Sequence, residues 1–126
     1  GSTTYYVRAY ATNSAGTAIG TGLANTNAII TSQGGTAGSY TYAAGICTDY
    51  SVTEGGVTYD DWYLPSKDEL NKLYISKYVV GNISTAFYWS STEQSSMMAW
   101  LQYFNDGSQL SSLKFGKNSV RAVRAF

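Results

Sequence analysis

The residues that could do chemistry in this sequence are few. The chain of 126 residues contains no histidine and a single cysteine, Cys47. A Ser–His–Asp triad, a Cys–His dyad, a histidine-containing zinc site and an intrachain disulfide are therefore excluded. No basic residue stands near Cys47 to lower the pKa of its thiol, so a buried, unreactive cysteine is expected. We expect no metal site, no cofactor and no enzymatic activity.

Two pairs of acidic residues are the remaining candidates for acid–base catalysis. Asp68 and Glu69 follow Ser66 in PSKDEL, where a serine and a glutamate three residues later form a capping box at a helix start. Both carboxylates also stabilise the positive end of the helix dipole. Asp60 and Asp61 are expected to form turn hydrogen bonds. Helix capping and turn formation explain these carboxylates without catalysis.

The composition argues against several classes of partner. Eight basic and eight acidic residues give a net charge of zero, and charged residues make up 13% of the chain, where roughly a quarter is usual. A neutral chain offers no electrostatic surface for nucleic acid or an anionic membrane. No apolar run approaches the ~18 residues that span a bilayer. We expect one domain over residues 1–126, without nucleic-acid binding or membrane insertion.

The first half of the chain combines a strand with helices. Residues 4–11 alternate in TTYYVRAYATN, which predicts the first strand. A short helix is expected in ANTNAIITSQ, and a second in YAAGICTDY, where apolar residues at helical spacing direct Cys47 toward the core. A loop is expected in VTEGGVTYDDWYLP. The third helix is predicted to start at Ser66 and to end at Gly81.

From Phe87 onward the pattern changes to strands, in AFYWSST, MMAWLQYF, QLSSLKF and SVRAVRAF. Asn-Asp-Gly at 105–107 is typical of a hairpin turn. In the strand before it, Trp100 and Phe104 are expected to face the core, and Leu101 and Tyr103 to face outward. A shift of one residue would exchange these faces.

These motifs carry a family resemblance. DWYLPSKDELNKLY, YWSSTE, AW-Q-F-DG and SVRAVRAF are similar to the Fibrobacter succinogenes major paralogous domain family, also the C-terminal domain type of the Legionella collagen-like adhesin. The likeness covers about residues 19–126. It implies an α+β protein with a C-type lectin fold: a small twisted antiparallel sheet, two to three helices, and paired N- and C-terminal strands. Residues 1–18 would supply the first strand, although they also resemble the last strand of a fibronectin type III module.

A second resemblance concerns residues 89–126, which are similar to the variable region of proteins diversified by retroelements. In such systems an error-prone reverse transcript replaces adenine-derived positions in the gene. The apparently fixed segments WSSTE and SVRAVR flank positions that hold Ser, Leu, Tyr, Phe and Gly, which substituted asparagine codons can encode. Gln94, Met97 and Met98 do not follow from an asparagine codon in this way.

The resemblance and the strand pattern together predict a ligand-contact surface. Exposed apolar side chains beside Ser, Tyr and Gly are typical of interaction surfaces and of antibody loops. The expected contact residues are Met97, Met98, Leu101, Tyr103, Ser108, Leu110, Ser111, Ser112, Leu113, Phe115 and Gly116. In the alternative interpretation, Leu110, Leu113 and Phe115 fill the core of an ordinary lectin fold.

The expected function is non-enzymatic binding of a protein or glycan by a monomeric receptor- or adhesin-type domain, diversified within residues 94–118. The alternative is a calcium-independent glycan-binding adhesin domain without diversification. A calcium-dependent lectin is disfavoured, because the only proline, Pro65, opens a helix and the acidic turn at 105–106 lacks obvious partners. Chemistry like that of formylglycine-generating enzyme is also excluded, because it needs paired cysteines and this chain has one. The resemblance implies a bacterial cell surface, an extracellular location or a phage particle.

Overall fold

The computed structural model describes residues 21–125. The predicted strand at 4–11, its pairing with the C-terminal strand and the fibronectin-like interpretation of 1–18 lie outside these residues. The described elements form an α+β architecture, as expected. In chain order they are α1 (Gly22–Gln33), α2 (Ala43–Asp49), β1 (Val52–Glu54), β2 (Val57–Tyr59), α3 (Lys67–Ile75), α4 (Lys77–Val80), β3 (Phe87–Glu93), β4 (Met98–Tyr103) and β5 (Gln109–Leu113).

The predicted capping box is confirmed at the start of α3. The Ser66 hydroxyl accepts from the Glu69 N–H at 3.2 Å, and a Glu69 carboxylate oxygen accepts from the Ser66 N–H at 2.8 Å. The same oxygen accepts from the N–H of Gly22 at 2.8 Å, which ties the start of α3 to the start of α1. The predicted single helix is interrupted at Ser76, where α3 ends and the one-turn helix α4 begins, before Gly81 terminates it as expected.

The segment Val52–Tyr59, expected to be a loop, is instead a two-stranded antiparallel hairpin. Val52 pairs with Tyr59, and Glu54 pairs with Val57. Gly55 and Gly56 make the turn with φ values of 58° and 79°. Two consecutive left-handed residues suit the tight turns that match strand twist, and glycine adopts them without a steric penalty. The Gly-Gly pair between the segments VTE and VTY, each with two β-branched residues, therefore indicated a hairpin.

The second sheet is antiparallel and three-stranded, in the order β3–β4–β5. Phe87 of β3 pairs with Tyr103 of β4, and Met98 of β4 pairs with Leu113 of β5. The predicted turn at 105–107 joins β4 to β5, with Gly107 at φ 84° and its N–H donating to the Tyr103 carbonyl at 2.7 Å. The hairpin prediction is confirmed.

Within residues 21–125, the predicted final strand SVRAVRAF forms isolated bridges instead of a continuous ladder. Ser119 forms a parallel bridge to Tyr88, whereas Val123 forms an antiparallel bridge to Tyr63. Among the described residues, the chain changes its pairing partner between these two points, and the segment forms separate bridges there. Alternating residues predicted the extended backbone here, but they carry no information about the number of partners.

The central strand β4 is covered on both faces, which corrects the predicted orientation of its side chains. Leu101, expected to face outward, belongs to a core cluster with Trp89 of β3, Ile29 of α1 and Cys47 of α2. The expected burial of Cys47 is confirmed.

Trp100, expected in the core, is only half-buried and lies under Lys67, whose Nζ is 3.8 Å from the ring centroid. Phe104 is buried as predicted, in a second cluster with Leu70 and Tyr88. Alternating residues predict the orientation of side chains only when one face of a strand is buried and the other is exposed to solvent. That prediction fails for β4, because both of its faces are packed.

Candidate ligand-contact surface

The outer part of the three-stranded sheet exposes several apolar side chains. The exposed fractions are 58% for Met97, 54% for Phe115, 45% for Leu110 and 41% for Leu113. We call these four residues the outer-strand surface. Leu110, Leu113 and Phe115 therefore do not fill a lectin-type core, which removes the alternative interpretation of the sequence. Exposed apolar groups concentrated in one region mark an interaction site more often than scattered ones do.

The outer-strand surface follows the edge strand β5 and the turns beside it. Leu110 pairs with the buried Leu101, and Leu113 pairs with Met98. Leu110 and Leu113 are three residues apart, so they point to opposite faces of the sheet. The surface therefore wraps around the edge of β5.

A shallow depression adjoins Leu110. It has a volume of about 270 Å³ and is lined by Phe87, Leu101, Leu110, Ser111, Ser112 and Asn118. Several predicted contact residues are therefore brought together there, with the buried Leu101 at its base. Leu101 was predicted as an outward contact residue, and the structure corrects this to a supporting position.

The aromatic ring beside the depression was not predicted. Phe87 stacks on Tyr103 with ring centroids 4.2 Å apart and planes inclined by 11°. Tyr103 is half-buried as a result. Phe87 precedes the variable-like segment in the sequence, so its place beside that segment depends on the β3–β4 register.

Other predicted contact residues serve the local backbone. The Ser108 hydroxyl and N–H donate to the Asp106 carboxylate at 2.7 and 2.9 Å, which fixes the turn between β4 and β5. These bonds, the hydroxyl donor first, hold the pKa of Asp106 below its ordinary value. The Gly116 N–H donates to the Leu113 carbonyl at 3.0 Å, and Met98 is only partly exposed.

A buried ion pair supports the outer-strand surface from below. The ammonium of Lys114 contacts the carboxylate of Glu93 and donates to the Ser96 carbonyl at 3.1 Å. The Lys114 N–H donates to the Met97 carbonyl at 2.9 Å. These contacts join the end of β5 to the bend that carries Met97. Neither charged residue was predicted to have this role.

Two glutamine side chains connect the sheet to α3 and to the β4–β5 turn. The Gln102 amide donates to Asn71 Oδ1 at 2.9 Å and to the Gly107 carbonyl at 3.0 Å. The Gln109 amide donates to the Lys67 carbonyl at 3.0 Å. Each bond fixes a point on β4, β5 or the turn, so the outer-strand surface rests on a supported backbone.

Outside this region the structure shows a cleft that the sequence did not indicate. The cleft has a volume of about 500 Å³, and its lining includes Tyr59, Trp62 and Arg124. The Arg124 guanidinium donates to both carboxylate oxygens of Asp61 at 2.7 and 3.1 Å and lies 4.6 Å from the Tyr59 ring centroid. The Arg124 hydrogen bond holds the pKa of Asp61 below its ordinary value. Asp61 was expected to bond within its turn, and the structure instead gives its carboxylate the distant Arg124 as a partner.

A second group of exposed apolar residues surrounds α4. Tyr78 and Val79 are each 90% exposed, and Ile75 and Val80 are also exposed. The sequence predicts that these residues belong to a continuous third helix and indicates no surface role for them. Ile75 ends α3, and Tyr78, Val79 and Val80 lie on the one-turn helix α4, so this group belongs to different elements from the outer-strand surface.

Two further observations concern metal binding and membrane-spanning helices in the described residues. Over residues 21–125, no three or more His, Cys, Asp and Glu side chains gather in a way that could hold a metal ion. None of the helices found there has the length and apolar character needed to cross a membrane.

Comparison with known proteins places these observations in a family context. The Lcl C-terminal domain family matches residues 12–124. No curated protein matches the chain. The matched residues include every described helix and strand and the whole outer-strand surface.

Proposed function

Because the chain belongs to the Lcl C-terminal domain family, we propose that it is a non-enzymatic ligand-binding domain with a C-type lectin fold. The ligand contacts the outer-strand surface, and residues within 94–118 are diversified by a retroelement. The exposure of Met97, Leu110, Leu113 and Phe115 is the observation that carries the proposal.

The separation of buried and exposed residues supports a diversified surface. Trp89 of the apparently fixed segment WSSTE and Gln102 of the family motif AW-Q-F-DG are fully buried, and Lys114 is nearly so. The outer-strand surface consists of positions with the variable-like residue types, apart from Met97. Exposed positions tolerate substitution far better than packed ones, so this surface can change while the fold is kept.

The candidate catalytic groups are occupied by structural roles, which supports binding without catalysis. Cys47 is buried in the core, and burial raises the pKa of its thiol. Glu69 accepts from the N–H groups of Ser66 and Gly22. We place the domain on a bacterial cell surface, outside the cell or on a phage particle, as the family resemblance implies.

A pair of displayed libraries tests this proposal. One library randomises the outer-strand surface, and the matched library randomises four buried positions, Leu70, Trp89, Leu101 and Phe104. We expect most members of the first library to fold and to yield binders against immobilised proteins, whereas most members of the second unfold. Unfolding of both libraries at similar frequency, or the absence of binders from the first, would contradict the proposal.

Diversification is tested separately in the neighbouring DNA. We expect a reverse transcriptase gene and a near-copy of the coding segment for residues 89–126 that differs at adenines. Without them, the alternative is a calcium-independent glycan-binding adhesin domain. One observation favours that alternative: the stacked rings of Phe87 and Tyr103 adjoin a depression that is also lined by Ser111 and Ser112. Aromatic faces and hydroxyl groups suit a ligand with both apolar and polar sides. Glycan-array binding that is unchanged by a calcium chelator would support it.

A further inference from the structure

The outer edge of β5 presents main-chain groups without a strand partner in residues 21–125. The Lys114 N–H donates to the Met97 carbonyl, and the Tyr103 N–H donates to the Ser108 carbonyl. Hydrogen-bonded pairs alternate along an antiparallel ladder, so Leu110 and Ser112 direct their main-chain groups toward β4. Gln109, Ser111 and Leu113 direct theirs away from the sheet.

This edge lacks the devices that normally protect an edge strand. Proteins usually place lysine, proline, a bulge or an inward-pointing charge at such a position. The five residues of β5, QLSSL, include no proline and no charge, and each pairs with β4 in unbroken register. The neighbouring Lys114 does point its charge inward, but it lies outside β5 and its charge is neutralised by Glu93. Within the part of the chain that the structure describes, the edge is therefore open to another strand.

We propose that the ligand is an extended segment of a partner protein that adds to β5 as a fourth strand. The main-chain groups of Gln109 and Ser111 and the N–H of Leu113 bind its backbone, whereas the Leu113 carbonyl already accepts from the Gly116 N–H. Its side chains contact Leu110 on one face and Leu113 on the other. The inference rests on the proposed function, since β5 lies in the middle of the outer-strand surface, and it specifies a strand as the ligand.

The apolar side chains at the edge define what the added strand must carry. Leu110 and Leu113 lie three residues apart and on opposite faces, so the segment needs apolar residues at the same spacing. Cross-strand apolar pairs stabilise a sheet, whereas an apolar residue opposite a polar one contributes less. An uncharged segment with two apolar residues three positions apart fits this edge.

A second copy of this chain fits the edge less well. In an antiparallel pairing of two copies centred on Ser111, Leu110 would face Ser112 and Leu113 would face Gln109 of the second copy. Only shorter, offset registers would bring two leucines together. A glycan offers no main-chain ladder, so it would not use these donors and acceptors in regular alternation.

The test selects random uncharged heptapeptides, displayed on phage, against the immobilised chain. Selected peptides are then measured against two variants at the centre of the edge. Ser111→Pro removes the N–H that points away from the sheet, and an edge strand tolerates proline at such a position. Ser111→Ala removes the hydroxyl but keeps this N–H. We expect apolar residues three positions apart in the peptides, and a Kd at least tenfold weaker for Ser111→Pro than for Ser111→Ala. Circular dichroism verifies that both variants fold.

A second measurement uses the unchanged chain, so that it stands if Ser111→Pro unfolds. N-methylation of the peptide residue opposite Ser111 removes one ladder bond and should weaken binding at least tenfold. Amide exchange at Ser111 should slow on peptide binding, while exchange at Thr58 in the other sheet should not change.

Three results would overturn the inference: no peptide is selected, N-methylation has no effect, or the chain sediments as a dimer that Ser111→Pro dissociates. Failure of this inference is distinguishable from failure of the proposed function. Protein binders obtained by randomising the outer-strand surface but insensitive to Ser111→Pro would leave the function intact and remove the strand-addition mode. Absence of binders in both experiments would contradict both the proposed binding function and the strand-addition mode.

Discussion

The ammonium of Lys114 is paired with the carboxylate of Glu93 inside the protein, with 7% and 2% of the two side chains exposed. Glu93 lies at the end of β3, and Lys114 directly follows β5, so the pair links segments on either side of the central strand. Lys114 also binds the Ser96 carbonyl in the bend before Met97. The buried pair therefore holds part of the outer-strand surface in position.

Removing one partner of this pair should destabilise the protein strongly. Lys114→Met leaves the Glu93 carboxylate buried without its cation, and such losses cost about 3–5 kcal/mol. The double variant Lys114→Met/Glu93→Leu should recover much of that stability, since it leaves no buried charge. Urea unfolding of the single and double variants measures both effects. A loss below about 1 kcal/mol for Lys114→Met would show that the pair is solvated in solution.

Two leucines that face each other across the β4–β5 ladder should respond differently to truncation. Leu101→Ala removes a side chain that is 4% exposed and should cost about 2–5 kcal/mol. Leu110→Ala, at a position 45% exposed, should change stability by no more than about 1 kcal/mol. Comparable losses at the two positions would mean that β4 is rotated in solution and that Leu101 faces outward.

Local signals in the sequence predicted the local structure well. Ser66 and Glu69 form the capping box because both partners lie within four residues of one another. The turn at 105–107 also forms from neighbouring residues, with Asp106 accepting from Ser108. Such interactions depend on short spacings that a single sequence displays.

The long-range arrangement could not be predicted in the same way. Trp100 and Leu101 were assigned to the wrong environments because α3 covers one face of β4 and the core cluster covers the other. Asp61 binds Arg124, and Lys114 binds Glu93, across separations of 63 and 21 residues. Alternation within one strand says nothing about what packs on it. The exposed contact surface was partly predicted, because residue types typical of interfaces cluster near β5.

Aromatic stacking should make Tyr103 more important for stability than Phe115. Tyr103 stacks on Phe87, whereas Phe115 is 54% exposed. Phe115→Ala should shift the unfolding free energy by about 0.5 kcal/mol or less. Tyr103→Ala should cost more, and a double-mutant cycle with Phe87→Ala should give a coupling of about 0.5–1.5 kcal/mol. No coupling in thermal or urea unfolding would show that the rings do not stack in solution.

Acid should weaken the protein partly through Asp61. Hydrogen bonds from Arg124 lower the pKa of Asp61 below 3.8, its ordinary value. A carboxyl whose pKa is lowered by folding stabilises the folded state above its unfolded pKa, and that contribution is lost as pH falls through the folded pKa. The melting temperature of Asp61→Asn should therefore fall less than that of the unchanged chain below about pH 4. Equal decreases in melting temperature for Asp61→Asn and the unchanged chain below about pH 4 would contradict a role for the Asp61–Arg124 pair.

Cys47 should report global unfolding, because it is the single cysteine of the chain and is buried beside Trp89 and Ile29. Burial raises the pKa of the thiol, so the reactive thiolate forms only when the core opens. At about pH 8, labelling by an aromatic disulfide reagent should be roughly a thousandfold slower in buffer than in urea, since opening is rare in a stable domain. Leu101→Ala should accelerate labelling by about the factor its stability loss implies, and Leu110→Ala should have little effect. Equal labelling rates in buffer and in urea would show that the cluster around Cys47 does not form.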